Sequence, residues 1–459
     1  MYRTAVLAGC VVAALAAGRA LAADESALNE ALASAYQGNP NLKAAREQLR
    51  ATDELIAQAK AQRRPTVVIT GDLSVGVAKN SCNLSVGLPF EKEEECAPGA
   101  VRLDVVQPIY RGGSIEANID QADNLIRAQR AALHAAEQDV LLRAATAYLD
   151  VYRDQAVLEL TRNNQTVVEA QLKDTRNRFA VGAVTETDVV QAESRLARAV
   201  AQLVLAEGSL AVSEATYREV IGESVGIVEE PPFLFQLPTS EEDTIKESAA
   251  NPSVVQADYS EKAARNAIDS AFGELLPSLD IVGELKARDD LMNDTHFDED
   301  QTAAIGARVK IPLYQAGSAD SRVRAAKYRA GQLRNELDAQ RRAAARGAES
   351  AWQALITARA QKQSFQTEAR AAELALAGVK REAEVGARTV LDILDAEQEL
   401  LDARVNLVRA RRDEIVASYA ILSVIGDLTA AKLGLGVPIY DAEQHYNAVR
   451  NKLWGTDTE

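Results

Sequence analysis

The chain has 459 residues, 5% of them aromatic, and a formal net charge of −16. So few aromatic side chains, beside abundant alanine, glutamate, glutamine and arginine, describe long helices rather than one large globular core. The acidic balance argues against nucleic acid as a partner.

Arg3, the apolar run from Ala5 to Ala17 and the small-x-small site Ala20-Leu21-Ala22 predict a secretory signal peptide over residues 1–22. The run is too short to remain as a spanning helix, and no later segment reads as one. Leu7-Ala8-Gly9-Cys10 also matches a lipoprotein cleavage box that would lipidate Cys10, although most of the apolar run follows it. Cleavage of the signal removes Arg3 and Arg19, which leaves a charge of −18. Cys82 and Cys96 remain, an even pair in an exported chain, and predict a disulfide.

Residues 25–62 carry helical periodicity, with Leu28, Leu32, Leu42, Leu49 and Ile56. After Arg64-Pro65 the period becomes two. Val67, Ile69, Leu73, Val75 and Val77 share one face, and Thr66, Thr70, Asp72 and Ser74 the other, which predicts a strand over about 66–77. A loop with Cys82, Cys96 and the acidic run Glu91-Lys92-Glu93-Glu94-Glu95 leads to a second strand over about 100–109. Gly112-Gly113 then precedes a helical hairpin over 112–222. Residues 114–181 contain neither Gly nor Pro. At 1.5 Å per residue they make about 100 Å of helix, with a heptad stripe through Leu141, Ala144, Tyr148, Val151 and Leu158. The turn is Val181-Gly182-Ala183-Val184-Thr185, with Thr185 or Thr187 as the cap of the return helix.

The pattern then restarts. Tyr110, Gly113, Gly182, Asp188, Glu193 and Gly222 recur as Tyr314, Gly317, Gly386, Asp392, Glu397 and Gly426, each 204 positions later. Before the loop the offset is 212: Asn39-Pro40 recurs as Asn251-Pro252 and Pro65 as Pro277. So many agreements at a fixed spacing indicate a duplication. The first structural repeat covers 23–226, a linker 227–245, the second repeat 246–426 and a tail 427–459. The second repeat has strands over about 278–287 and 302–311 and a hairpin over 318–426.

On the four strands Arg102, Asp104, Asp280, Glu284, Lys286, Arg308 and Lys310 share the polar face, while the opposite face is almost wholly uncharged. That alternation, at about ten residues per strand, suits a transmembrane β-barrel. Four strands cannot close a barrel, and an open edge cannot face lipid, so the chain must oligomerise. Two copies supply eight strands, whose interior side chains fill; three supply twelve and leave room for water.

Here the sequence resembles the outer-membrane factor family, the TolC-like export ducts. The likeness rests on the duplicated helix–strand–strand–helix plan, on Gln107-Pro108-Ile109-Tyr110-Arg111-Gly112-Gly113 and Ile311-Pro312-Leu313-Tyr314, and on both hairpin turns. Tyr440-Asp441, His445-Tyr446 and Trp454-Gly455 in the tail look like the branch serving type I protein secretion. The resemblance implies a mainly α protein with a transmembrane β-barrel. It implies a homotrimer in the outer membrane of a Gram-negative bacterium, with twelve strands in lipid and an α-helical tunnel in the periplasm. It also implies docking to a periplasmic adaptor and an inner-membrane pump of ABC or RND type, for type I secretion or multidrug efflux. Val181, Gly182, Val385 and Gly386 match the tips that meet the adaptor, with helix capping by the glycines as the plainer role. Asp392 and Asp395 match the acidic rings of the pore constriction; their spacing alone puts both on one helix face. Thr187, Asp188 and Arg388 match a latch that holds the mouth closed. The chain departs from the family at Ala383, where a tyrosine is common.

An enzyme is not expected. The three histidines, His134, His296 and His445, have no metal-ligand spacing, and no cofactor motif or nucleophile–base arrangement appears. The acidic loop runs, Glu91 to Glu95 and Asp298-Glu299-Asp300, read as solvated charge rather than divalent-ion sites. The competing reading is a periplasmic adaptor or coiled-coil scaffold, which accounts for long hairpins but not for two equal ones with barrel-like strand pairs.

Overall fold

The computed structural model describes residues 26–79, 93–96, 98–226, 228–231, 237–290 and 300–458. The signal segment, Cys10, Cys82, Glu91 and Asp298-Glu299 lie outside them, and so does the predicted disulfide. Two short helices, α1 (Ser26–Gly38) and α2 (Pro40–Ala61), lead into strands β1 (Thr66–Leu73), β2 (Gly76–Lys79), β3 (Glu93–Cys96) and β4 (Pro98–Arg111). The first hairpin is α3 (Ser114–Ala180) with α4 (Glu186–Ile221). After α5 (Glu241–Glu247) come α6 (Pro252–Gly273), β5 (Ser278–Asp290), β6 (Asp300–Lys310), the second hairpin of α7 (Ser318–Glu384) and α8 (Val390–Ile425), and α9 (Gln444–Val449) in the tail. Contacts group into two compact units, and both repeats contribute to each. One takes Met1–Gln48, Arg130–Gln256 and Asp338–Asp441; the other takes Leu49–Gln129, Ala257–Leu337 and Ala442–Glu459.

The second unit holds the strands. A four-stranded antiparallel sheet runs β1-β4-β5-β6, so β1 and β6 each keep one edge without a partner in the chain. The register places Ile69, Leu103, Leu285 and Ala303 in one row across the sheet, and Thr70, Arg102, Lys286 and Thr302 in the next. Successive side chains point to opposite faces, so the apolar and charged rows separate. Val67, Ile69, Leu73, Val101, Leu285 and Ile305 are all exposed on the single chain. Asp104 lies opposite Glu284 and Arg102 opposite Lys286. These like-charged pairs are relieved along the strand, where Arg102 Nε lies 3.0 Å from Asp104 Oδ2. The strand expected over 66–77 is shorter: β1 ends at Leu73, and β2 resumes at Gly76 in the same register against β3. The break falls opposite Pro98, which has no N–H to give the ladder.

The first unit holds the hairpin ends, and its helices bury a seven-residue repeat. Leu133, Val140, Ala147, Asp154, Thr161, Val168 and Thr175 are buried along α3, and Ala192, Ala199, Ala206, Ser213 and Val220 along α4. Ala396, Ala403, Ala410 and Ala417 repeat the α4 stripe on α8. A strict heptad on a 3.6-residue helix drives a left-handed supercoil, and the small residues let helices approach closely. Buried Asp154 is compensated by Arg153, whose Nε and Nη2 donate to its carboxylate at 2.7 and 2.8 Å.

Contrary to the expectation that no segment after the leader could cross a membrane as a helix, α4 is long and apolar enough to do so, with a mean hydropathy of 1.3 over its most apolar stretch. The reason is that α4 carries two apolar surfaces. Its alanine stripe packs within the chain, while Val204, Leu205 and Val212 are 61–71% exposed.

The junction between strands and helices is held by two glycines. Gly112 has φ +65°, and a Cβ there would lie 2.2 Å from the Gly273 carbonyl oxygen; a Cβ on Gly273 would lie 2.8 Å from that of Gly112. Gly113 also has positive φ but nothing within 4 Å of a Cβ. Gly112→Ala is therefore expected to cost the strain of a left-handed alanine plus about 1–3 kcal/mol of overpacking, and Gly113→Ala the strain alone. Thermal unfolding followed by circular dichroism checks the order; equal losses would remove the close contact from the account.

Candidate functional site

The two hairpin turns are built alike, and both lie in the first unit. At the first, the N–H of Ala183 donates to Arg178 O at 2.9 Å and that of Gly182 to Phe179 O at 2.9 Å. At the second, Ala387 donates to Glu382 O at 2.9 Å and Gly386 to Ala383 O at 3.1 Å. These paired bonds close the helix ends around a left-handed residue, and Gly182 and Gly386 have φ of +72° and +77°. Both glycines thus cap helices, the plainer of the two roles read for them. The same turns leave Val181 and Val385 80% and 81% exposed.

Each return helix starts with a capping box. Thr185 caps α4, not Thr187: its side chain accepts from Asp188 N while Asp188 Oδ2 accepts from Thr185 N at 2.8 Å. Thr389 and Asp392 repeat this on α8, again with 2.8 Å to the carboxylate. Hydrogen bonds from the threonine N–H, and then from its hydroxyl, hold both aspartates below the ordinary carboxylate range. Their charge also favours the positive end of the helix dipole.

The other predicted site residues are only partly brought together. Arg388 Nε donates to Glu382 Oε2 at 2.9 Å, and its Nη1 lies 3.9 Å from Asp392 Oδ1. These carboxylates keep its guanidinium firmly charged, the Glu382 hydrogen bond most of all. Within one chain Arg388 therefore pairs inside its own hairpin, not with Thr187 or Asp188. Thr187 is exposed, and its side chain makes no hydrogen bond among the described residues. Asp395 is half-exposed and paired with Arg195 of α4. Sequence reading missed Arg195. Its one signal is the repeat itself: Gln191 occupies the position equivalent to Asp395, one helical turn before Arg195.

Behind the tips, Val390 and Leu394 of the second hairpin pack with Val168, Leu172 and Ala192 of the first. Arg176 lies 2.7 Å from Glu193, and the equivalent Lys380 lies 2.5 Å from Glu397. Both hairpins are thus closed by the same ion pair. No group of three or more His, Cys, Asp or Glu poised for a metal occurs among the described residues.

Thr389→Ala is expected to destabilise the start of α8 by about 1 kcal/mol, the ordinary value of such a cap. The cap is also pH-dependent. Since the folded-state Asp392 titrates below the ordinary value of 3.8, its contribution is complete above that pH and is lost as pH falls through the depressed value. Hydrogen exchange at the tip, corrected for intrinsic rates, should speed up as the pH falls below 3.8 in the parent and much less in Asp392→Asn, which has no carboxylate to titrate. An equal acceleration in both would remove the capping box from the tip.

The model of the outer membrane efflux proteins matches residues 28–223 and 246–427, which are the two repeats. The outer membrane efflux protein BepC of Brucella suis biovar 1 is 33% identical over 438 residues, covering 95% of this chain and 93% of that one. The outer membrane protein TolC of Vibrio cholerae is 28% identical over 407 residues, covering 86% of this chain and 89% of its own. Among solved structures, the Campylobacter jejuni CmeC outer membrane channel shares the fold at a TM-score of 0.79 and 16% identity, covering 92% of this chain and 89% of that chain. The family and the Brucella relative are both described as outer membrane efflux proteins, which favours the duct over the adaptor reading. With both repeats matched and a relative at one-third identity along almost its whole length, the chain belongs to the outer membrane efflux protein family.

Proposed function

We propose that three copies of this outer-membrane channel close a single duct, which carries substrate outward from an inner-membrane pump through a periplasmic adaptor. The observation that carries the reading is the pair of open sheet edges. β1 and β6 end the sheet, and their free N–H and C=O groups need partners in lipid. Pairing β6 of one copy with β1 of the next satisfies both edges and repeats around a ring. Twelve strands leave a water-filled lumen, whereas eight would be filled by their own side chains. The exposed Val204, Leu205 and Val212 on α4 supply apolar surface for helix contacts between copies.

The tips then form the periplasmic mouth. Exposed Val181 and Val385, on turns of one design, suit an adaptor that meets both hairpins alike. Asp392 and Asp395 lie one turn apart on α8, so threefold symmetry would stack two rings of carboxylates, and such rings favour cations. Within the chain Arg195 pairs with Asp395 more closely than Arg388, at 3.9 Å, does with Asp392, which leaves Asp392 as the stronger acidic ring. Arg388 joins the latch through Asp392 and through whatever a neighbouring copy presents, Thr187 and Asp188 included. The cargo is chosen by the pump, of ABC type in type I protein secretion or RND type in multidrug efflux.

Electron microscopy of the detergent-solubilised mature protein is expected to show threefold particles with one detergent-belted end. Twofold particles or detergent-free monomers would overturn the ring. In planar bilayers Asp392→Asn is expected to lower cation selectivity more than Asp395→Asn does, and Arg195→Gln to raise it, read from reversal potentials across a salt gradient. Arg388→Ser is expected to raise single-channel conductance; an unchanged conductance would take Arg388 out of the latch.

A further inference from the structure

The last residues of the tail end at the foot of the first strand. α9 packs there against α2 and α3: Tyr446 covers the cluster of Ile56, Ala59, Ala122 and Ile126, and its hydroxyl donates to Asp123 Oδ1 at 3.2 Å. Beyond α9 the chain is tied down again, since Arg64 Nη1 donates to the Lys452 carbonyl at 2.7 Å. Lys452 Nζ reaches forward to Asp457 O at 2.7 Å. This closes a small loop that presents Leu453 and Trp454, 68% and 85% exposed. Arg64 stands two residues before Thr66, where β1 begins its row of exposed apolar side chains. An exposed Leu-Trp pair is therefore fastened at the level where the sheet's exposed apolar rows begin.

The surroundings suit that level. A surface pocket of about 620 Å³ opens beside the loop, lined by Lys60, Arg63, Arg64 and Asn451, with Glu116 and Asp120 as its acidic members. Arg63 is held by Glu116 at 2.7 Å, and no ion-pair partner of Lys60 is found among the described residues. Indole rings collect at the headgroup level of membranes, where the ring is partly dry and its N–H stays wet, and lysine and arginine there meet lipid phosphates. A water-filled lumen would give neither Leu453 nor Trp454 an apolar partner.

We propose that Leu453 and Trp454 form an interfacial anchor that enters the periplasmic leaflet of the outer membrane, with Lys60 and Arg63 facing phospholipid phosphates. The anchor pins the end of the tail to the membrane and, through Tyr446 and Arg64, braces the helices that carry the first strand. It rests on the outer-membrane location but on neither the pore rings nor the latch.

The chain has two tryptophans, so Trp352→Phe leaves Trp454 as the only indole. The full-length protein would be reconstituted into vesicles of phosphatidylethanolamine and phosphatidylglycerol, with flotation testing insertion separately. Lipids brominated near the headgroup end of the acyl chains are expected to quench Trp454, and aqueous acrylamide to quench it weakly. Lys60→Gln with Arg63→Gln is expected to reduce the bromolipid quenching. Strong acrylamide quenching without bromolipid quenching would place the loop in water and overturn the anchor. Protection from both quenchers would seat it on a neighbouring copy and overturn it equally. If Trp352→Phe fails to fold, the difference between the parent and Trp454→Phe gives the same readout.

Discussion

A sheet in hydrocarbon has no water to complete its hydrogen bonds, and this chain carries a sheet that it cannot complete alone. β1 and β6 each present one open edge while the apolar rows of the same strands demand lipid. Only closure against further copies satisfies both demands. Each remaining part of the architecture serves that closure. The register keeps charged rows on the lumen side, and the glycine contact at Gly112 and Gly273 sets the strands close upon the helices. The arginine–aspartate pair on β4 lets like charges face one another across strands.

The helices answer a related problem on a larger scale. A hairpin arm of 67 residues has no globular core to lean on, so its packing must repeat. The seven-residue stripe of small and apolar side chains does this, and buried Asp154, Thr161 and Thr175 within it are each satisfied locally. The free ends of the arms are treated alike in both repeats. Asn39 accepts from Asn41 N at the start of α2, and its amide donates to Val220 O at the end of α4, 2.8 Å away. Asn251 does the same for Ser253 N and Val424 O, the latter at 2.9 Å. One side chain thus serves one helix's orphan donor and another's orphan carbonyl. Pro40 and Pro252, each first in its helix, need no such partner.

At the tips, charge is spent on local order before it is available to a pore. Asp188 and Asp392 are capping-box residues, and Asp395 is matched by Arg195. As the proposed mouth, these tips have stiff, well-capped turns whose acidic charge is partly paired already. Under that proposal, opening would move whole hairpins rather than unravel their ends.

The alternating strands, the proline-free arms and the glycine-capped turns were legible in the residues because each depends on neighbours within a turn or a strand pair, and the duplication because its agreements recur at fixed spacings. The capping boxes were half legible: Thr185 was one of two candidate caps, and Asp188 and Asp392 were read as latch and ring residues rather than cap partners. The early end of β1 and the apolar character of α4 went unread. Pro98 interrupts the ladder only once a register sets it opposite Ser74, and α4 shows two apolar surfaces only once one is covered. Arg195 and Asp395 stand 200 positions apart, and nothing local joins them. They meet because the heptad stripes set the azimuth of α4 against α8. The tail is the same case, since only packing on α2 and α3 brings Lys452 to Arg64. Sequence alone determined the periodic and capped elements, whose forces act over a few residues. The tertiary structure decided which charges meet and where the tail ends, because those contacts exist only after whole helices have docked.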